Sequence, residues 1–301
     1  MAAKRRRRRK NKGLKLLMTL IVVILAVIGG AIGLGQRNKT DIPAGNQVAS
    51  GEALVHFIDV GQGDAILITM SEGNVLIDAG TNSSEGKLKA YLDSMEITEI
   101  EYAVFTHPHE DHIGGADMVL ENYDVNNIVM PDYTSNTNTY NLMMDRIEKE
   151  DANVLLAEPN MTFSVDDMTF TVLAPISQNS TETNNSSVVL KAVYGSTSFM
   201  FTGDAEEASE EEILEMYSSS ALKCDLLKAG HHGSDTSTSQ AFLDAVAPKY
   251  AVIQVGAGNK YDHPCQETLL KFDKAGVTYY RNDLLGDIVF VTDGINLTKK
   301  D

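Results

Sequence analysis

The sequence predicts an α/β protein in which two sheets are covered on their outer faces by helices, preceded by one N-terminal transmembrane helix. Three observations predict it. From residue 52 onward, apolar runs of strand length alternate with segments of helical period. Residues 14–34 hold a single charge, Lys15, in a stretch long enough to span a bilayer core. The ten residues Thr106 to Gly115 gather three of the chain's seven histidines beside two acids, at the end of an apolar run.

Residues 1–13 read as a basic cytoplasmic arm, 14–35 as the anchor, 36–51 as a linker and 52–301 as the folded domain. The Lys- and Arg-rich run at 4–12 abuts the apolar stretch, so it stays inside and sends the body across the membrane. A cleaved signal peptide would have a shorter apolar region and a small-residue cleavage site. The Gly29–Gly35 stretch matches that poorly, and an uncleaved single-pass anchor is expected. No later segment is apolar enough to span. Pro43, Gly45 and Gly51 mark the linker.

The elements then follow in order. Ala53–Val60 and Asp64–Met70 read as strands joined by Gly61-Gln62-Gly63. Asn74–Ile77 is a third, Lys87–Met95 a helix, and Tyr102–Phe105 the strand that delivers the histidine-rich loop. A helix is expected from about His112 to Asn122, with Gly114 and Gly115 allowing close approach in its first turn. Ile128–Met130 is a strand and Thr139–Asp151 an amphipathic helix with Leu142, Met143 and Ile147 on one face. Strands follow at 153–157, 168–173, 188–193, 198–202, 225–229, 250–255, 277–281 and 288–292. Helices are expected near 206–216, 239–246 and 266–275. The Asn- and Ser-rich residues 177–187 form a loop within the domain.

The formal net charge of −17 hides an asymmetry. Nine of the 25 Lys and Arg fall in residues 1–15, before the first acid. From residue 16 on, 16 cations face 42 acids, a net of −26. Such a body does not attract polyanions over its general surface. Cys224 and Cys265 are the only cysteines and lack metal-binding spacing. Outside the cytoplasm a disulfide between them is open.

His107 and His109 are two apart, so an extended segment points both the same way. Asp111 and His112 follow on a turn into the helix. Imidazole and carboxylate are ligands for zinc and related divalent ions, and two ligand pairs this close suit two metals. A polar surface loop would not hold three of seven histidines. Asp78, Asp204, His231 with His232, and His263 recur at later strand ends. Each alone reads as a turn or cap; together, in order, they read as a site. His56, inside the first strand, reads as structural. Gly61-x-Gly63 lacks the third glycine of a dinucleotide fold, so no organic cofactor is expected.

His107-Pro108-His109-Glu110-Asp111-His112 resembles the main metal motif of the metallo-β-lactamase superfamily. Asp78 matches the acid that supports that loop, Asp204 the acid that bridges two metals, and His232, or with less weight His231, the last ligand histidine. The resemblance implies an αββα sandwich with the site on one sheet edge. Phe57-Ile58-Asp59-Val60-Gly61-Gln62-Gly63-Asp64-Ala65, Leu76-Ile77-Asp78-Ala79-Gly80, Asn184 to Leu190, Thr202-Gly203-Asp204, Leu227 to Ser234 and His263-Pro264 look like the hydrolase-like domain of ComEC-type competence proteins. This likeness covers roughly residues 52–292. The chain lacks their polytopic channel and looks like a stand-alone, anchored version.

No histidine lies between His112 and His231, so the family's usual third histidine on the first metal is missing. Asn184 or Asn185 sits near its place. Asn suits manganese or magnesium better than zinc, so manganese stands beside zinc as the expected ion. The resemblance implies one metal on His107, His109 and Asp204 and a second on Asp111, His112, Asp204 and His232. A bridging hydroxide would attack phosphorus, with His263 or His231 protonating the leaving oxygen. Ser234, Thr236 and Ser237 are expected to offer hydrogen bonds to phosphate, Ser237 or Ser239 equally to cap the helix at Gln240. Asp59 and Asp64 are expected behind the ligands or in turns, and Cys265 to be structural. The expected function is an extracytoplasmic, bacterial phosphodiesterase or nuclease acting on DNA. The alternatives are an esterase on cell-wall teichoic acid phosphorylcholine and a metal-binding scaffold without catalysis. Oligomeric state is open.

Overall fold

Alternating side chains sort the strands into two faces. In β1 (Ala53–Phe57) Val55 and Phe57 enter a central core. In β2 (Ile66–Met70) Ile66 and Ile68 join them, while Leu67 faces the opposite way. In β3 (Gly73–Ile77) Val75 and Ile77 separate from Leu76 in the same manner. These strands belong to a sheet completed by β4 (Glu99–Val104), β5 (Asp124–Met130), β6 (Asn153–Leu156), β14 (Ile288–Thr292) and β15 (Leu297–Lys299), in the order β15-β14-β1-β2-β3-β4-β5-β6. The structure, a computed structural model, describes residues 48–150, 152–177 and 182–300. The expected basic arm, the anchor at 14–35 and most of the linker lie outside the described residues. Among those described, no helix is long and apolar enough to cross a membrane.

The second sheet runs β13-β12-β11-β10-β9-β8-β7, built from β7 (Thr162–Val165), β8 (Met168–Ala174), β9 (Val189–Tyr194), β10 (Thr197–Phe201), β11 (Leu226–Lys228), β12 (Tyr250–Ile253) and β13 (Thr278–Arg281). Phe163, Phe170, Leu190, Phe199 and Phe201 of this sheet meet the first sheet's inner face. Helix α1 (Glu85–Ser94), α3 (Ala116–Asn122) and α4 (Asn138–Glu150) cover the first sheet through Leu88, Leu92, Val119, Met143 and Ile147. Helix α5 (Glu207–Met216), α7 (Gln240–Val246) and α8 (Gln266–Ala275) cover the second through Ile213, Phe242, Leu243 and Phe272. The result is the αββα sandwich.

Strands β3 to β6 run parallel, as do β10 to β13. The loops after their carboxyl ends are where such sheets build sites. Two expected elements differ. The first strand stops at Phe57, because Ile58 to Ala65 turn back on themselves, with Ile58 N–H bonded to Ala65 C=O at 2.9 Å. The helix expected from His112 is two pieces, α2 (Glu110–Ile113) and α3, broken at Gly114-Gly115. A Cβ at Gly114 would lie 2.2 Å from Asn82 N, so only glycine lets the loop after β3 press this close. Four short elements were not expected: β7, β15, α6 (Ser219–Leu222) and α9 (Asn282–Leu285). Cys224 and Cys265 are free thiols.

His56 is 2% exposed, with the Tyr91 hydroxyl 2.9 Å from Nδ1 and the Thr69 hydroxyl 3.2 Å from Nε2. Burial, with a smaller push from Lys300, lowers its pKa to about 4. The unfolded chain therefore takes up a proton between pH 6.5 and 4 that the folded chain refuses. The stability this gives is full above pH 6.5 and is lost as pH falls toward 4, by about 3 kcal/mol. In denaturant titrations across that window, wild type should lose about 3 kcal/mol more than His56→Gln. Equal slopes for the two proteins would show that His56 does not drive the acid response.

Candidate metal centre

Each ligand-type side chain arrives from the carboxyl end of a parallel strand. Asp78 follows β3, His107 to His112 follow β4, Asp204 follows β10, and His231 with His232 follow β11. Their meeting point is one atom, Asp204 Oδ2. His112 Nε2 lies 3.2 Å from it, His232 Nε2 3.4 Å, His231 Nε2 3.7 Å and His107 Nε2 3.9 Å. His107 Nε2 and His109 Nδ1 are 3.0 Å apart, and His109 lines the same pocket as Asp204. Asp111 Oδ2 is 3.3 Å from His232 Nε2. The structure thus brings together all six residues expected to hold metal.

Outer partners fix which nitrogen faces inward. His112 Nδ1–H donates to Asp78 at 2.7 Å, and His232 Nδ1–H donates to Gln254 C=O at 2.9 Å. Both Nε2 atoms are left buried without a hydrogen-bond partner, as is Asp204 Oδ1. Buried polar atoms are normally paired, and this set of inward-facing imidazole nitrogens and a carboxylate oxygen suits a cation. The carboxylates draw positive charge to the same point, and a cation bound there would displace the ring protons. Burial opposes charge on His112 and His232, yet Asp204 and its neighbouring carboxylates hold both imidazoles well above their ordinary range. Burial likewise opposes charge on Asp204, and the same two histidines hold its carboxyl well below. Burial keeps His107 and His109 neutral, as ligands must be. These residues fit divalent cations: His107, His109 and Asp204 would hold one, and Asp111, His112, Asp204 and His232 a second.

Asp64 also lies within 4.8 Å of His112, Asp204 and His232, but it stands behind the ligands. Its oxygens approach the Nδ1 atoms, 3.3 Å from His232 and 3.8 Å from His112, not the inward-facing Nε2 atoms. It pairs instead with Lys228 Nζ at 2.5 Å. Lys228 is fully buried, donates to Gly203 C=O at 2.9 Å and stands 3.7 Å from Asp204 Oδ1. Burial opposes charge on both partners; each offsets it for the other, so Asp64 sits below and Lys228 above the ordinary range. Asp64 N–H also bonds Asp111 C=O at 3.1 Å. A Cβ on Gly63 would come within 2.4 Å of that same carbonyl oxygen, so Gly63 is required for the clamp.

The remaining expected residues are placed as follows. Asp78, fully buried, accepts from Thr106 N at 2.8 Å and Thr106 Oγ1 at 2.7 Å besides His112. Asp59 lies away from the ligands, bonded to Gly61 N–H and Lys87. Asn185 Oδ1 accepts from Glu206 N–H at 3.1 Å; Asn184 Nδ2 donates to Glu206 Oε1 at 3.2 Å, and its Oδ1 is buried with no hydrogen-bond partner among the described residues. Ser187 occupies the space beside His107, 3.3 Å from Nδ1, and accepts from Asp204 N–H. The hydroxyls of Ser234, Thr236 and Ser237 are engaged with one another, with Glu206 and with Ala205 C=O. Ser239 caps α7, accepting from Phe242 N–H. His231 and His263 reach the pocket of about 640 Å³ that opens over Asp111 and Asp204. Glu206 was not expected. It accepts from His231 Nδ1–H at 3.1 Å and from Thr236 Oγ1–H at 2.9 Å.

Residues 58–256 match the family model described as the metallo-beta-lactamase superfamily. The chain is 30% identical over 259 residues to ComE operon protein 3 of Bacillus subtilis, covering 80% of this chain and 33% of that protein. It is 28% identical over 246 residues to competence protein ComA of Neisseria gonorrhoeae, covering 81% and 33%. It therefore spans about a third of these ComEC-type relatives' length. Among solved structures, the metallo-beta-lactamase fold protein YhfI of Bacillus subtilis superposes with a TM-score of 0.52 at 12% identity, over 80% of this chain and all of that one. The family match, over a frame whose strand ends bring these carboxylates and imidazoles together, shows that the chain belongs to the metallo-β-lactamase superfamily, whose members are typically metal-dependent hydrolases.

Proposed function

We propose that the protein is a two-metal phosphodiesterase, with zinc or manganese, that cleaves DNA outside the cytoplasmic membrane from a single N-terminal anchor. The observation that carries it is the convergence of four histidine nitrogens on Asp204 Oδ2, with Asp111 Oδ2 3.3 Å from one of them, His232 Nε2. A divalent pair held there would polarise a phosphoryl oxygen and make water a nucleophile near neutral pH. The likeness to competence proteins supports a DNA substrate, and the apolar segment at 14–34 supports the location. The chain's own residues do the rest. Glu206 fixes His231 with its proton on Nδ1, so Nε2 is the atom offered to the pocket. A proton carried on Nε2 would pass from there to the leaving oxygen. His263, edge-on to His231 at 5.5 Å, lines the same side.

Metal-stripped protein reloaded with manganese or zinc should hydrolyse both bis-p-nitrophenyl phosphate and single-stranded DNA, and Asp111→Asn should not. Turnover of the small ester alone would move the substrate to another phosphodiester, such as teichoic acid phosphorylcholine. Turnover of neither would favour a scaffold.

Glu206→Gln separates the proton donor from the metal site. Its kcat should fall about tenfold or more on DNA, part of the 10²–10⁴ that a positioned acid contributes. It should change little on bis-p-nitrophenyl phosphate, whose phenolate leaves without a proton. Equal losses on both substrates would remove His231 from that role.

A further inference from the structure

One wall of the pocket takes no part in holding metal. It is the loop after β12, from Gly256 to His263. Asn259 organises it from within: Nδ2 donates to Gly256 C=O at 2.9 Å and His263 C=O at 2.6 Å, and Oδ1 accepts from Tyr261 N–H and His263 N–H, each at 3.1 Å. Gln62 ties the loop to the other sheet, its Oε1 accepting from Gly256 N–H at 3.2 Å. The loop therefore holds its shape without a ligand.

What it presents is an aromatic face and a cation. Tyr261 is 51% exposed, and its ring stacks against His263, with centroids 5.8 Å apart and planes 27° apart. His263 leads on to His231 beside Asp204. Lys260 Nζ lies 4.9 Å from the Tyr261 centroid and is the one Lys or Arg on the pocket wall among the described residues. Two side-chain nitrogens at this wall, Gln62 Nε2 and His263 Nδ1, are buried with no hydrogen-bond partner among the described residues. An exposed Tyr packs no core here; with His263 stacked against it and Lys260 over its ring, a planar group reaches that ring by displacing the lysine.

Charge selects among planar and cationic ligands. A quaternary ammonium such as choline wants an aromatic cage free of competing cations, and Lys260 already sits over this ring. A neutral nucleobase suits it better, since base–aromatic stacking outweighs an exposed cation–π contact. Lys260, displaced from the ring, then meets the phosphate next to that base. Only an unpaired base offers its face to a side chain. The strongly acidic body gives no extended track for a duplex backbone.

We propose that Tyr261, backed by His263, stacks one unpaired nucleobase beside the scissile phosphate while Lys260 takes the neighbouring phosphate, so that the site acts on single strands with a footprint of a few nucleotides. This rests on the phosphodiesterase reading above.

The test compares full-length, manganese-loaded protein on two single-stranded oligodeoxynucleotides that differ only in bearing bases or abasic tetrahydrofuran units. The ratio of kcat/KM, base-bearing over abasic, should fall about 5- to 150-fold in Tyr261→Leu, the range expected for one lost stack, and hold in Tyr261→Phe. The same ratio in all three proteins would overturn the stacking site while leaving the phosphodiesterase standing. Lys260→Met should flatten the dependence of log KM on log salt by about 0.7, one single-strand phosphate contact; an unchanged slope would remove Lys260 from phosphate binding. If wild type cleaves neither strand, the phosphodiesterase falls, and fluorescence anisotropy of the two labelled strands decides the subsite. Tighter binding of the base-bearing strand, lost in Tyr261→Leu, keeps it; equal binding by both proteins overturns it.

Discussion

Asp204→Asn should cost more than 100-fold in turnover and at least one metal ion per chain. The expectation follows from where Asp204 Oδ2 lies. Four histidine nitrogens stand 3.2 to 3.9 Å from it, so both proposed metal positions share it. Asparagine keeps the shape and leaves the backbone bond from Asp204 N–H to Ser187 Oγ in place. It removes the one negative charge that the inward-facing Nε2 atoms have in common. Changing residues behind the ligands in metal sites typically costs 10–100-fold in affinity or activity, and loss of a shared ligand exceeds that. Metal analysis after dialysis, alongside turnover, checks it. Full metal content in the variant would contradict the shared-ligand assignment.

Asp78→Asn should destabilise the protein by about 3 kcal/mol and weaken metal binding 10- to 100-fold. Asp78 is fully buried and takes three hydrogen bonds, from Thr106 N, Thr106 Oγ1 and His112 Nδ1, at 2.7 to 2.8 Å. Its backbone is left-handed, with φ at +58°, a conformation that asparagine also tolerates, so the substitution isolates the carboxylate. The amide offers one acceptor where two are needed and turns its own N–H groups toward donors. One buried donor is orphaned, and the His112 ring loses the partner that aims Nε2 at Asp204. Denaturant unfolding of metal-free protein and chelator competition measure the two effects separately. A change below about 1 kcal/mol with full metal affinity would mean that the loop after β4 orients His112 unaided.

The residues of the candidate metal centre were legible because their chemistry is local. Three histidines and two acids within six residues fix most of a site without knowledge of the fold, and the strand-end acids and histidines complete it in chain order. What was not legible depends on contacts between distant segments. Lys228 reads as one residue of a strand, yet a lysine inside Leu226-Leu227-Lys228-Ala229 is anomalous for a central strand. Buried lysines are almost always paired, and that anomaly was the available signal for a partner such as Asp64. Glu206 looked like the start of a helix, since nothing in sequence places it against His231, 25 residues on. The setting of Asn185 was hidden for the same reason: only the fold shows Ser187 beside His107 and Asn185 bonded to Glu206. Strand β7 carried a faint signal, Thr-Phe-Ser-Val before Asp166-Asp167, and pairs with β8 across that tight turn. With only Phe163 and Val165 apolar it did not stand out.

The most direct test of the central claim is single-stranded DNA hydrolysis measured against equivalents of manganese or zinc added to metal-stripped protein. The account expects no turnover without metal and a rise that saturates near two ions per chain. Turnover that survives stripping, or none at any loading, would contradict it.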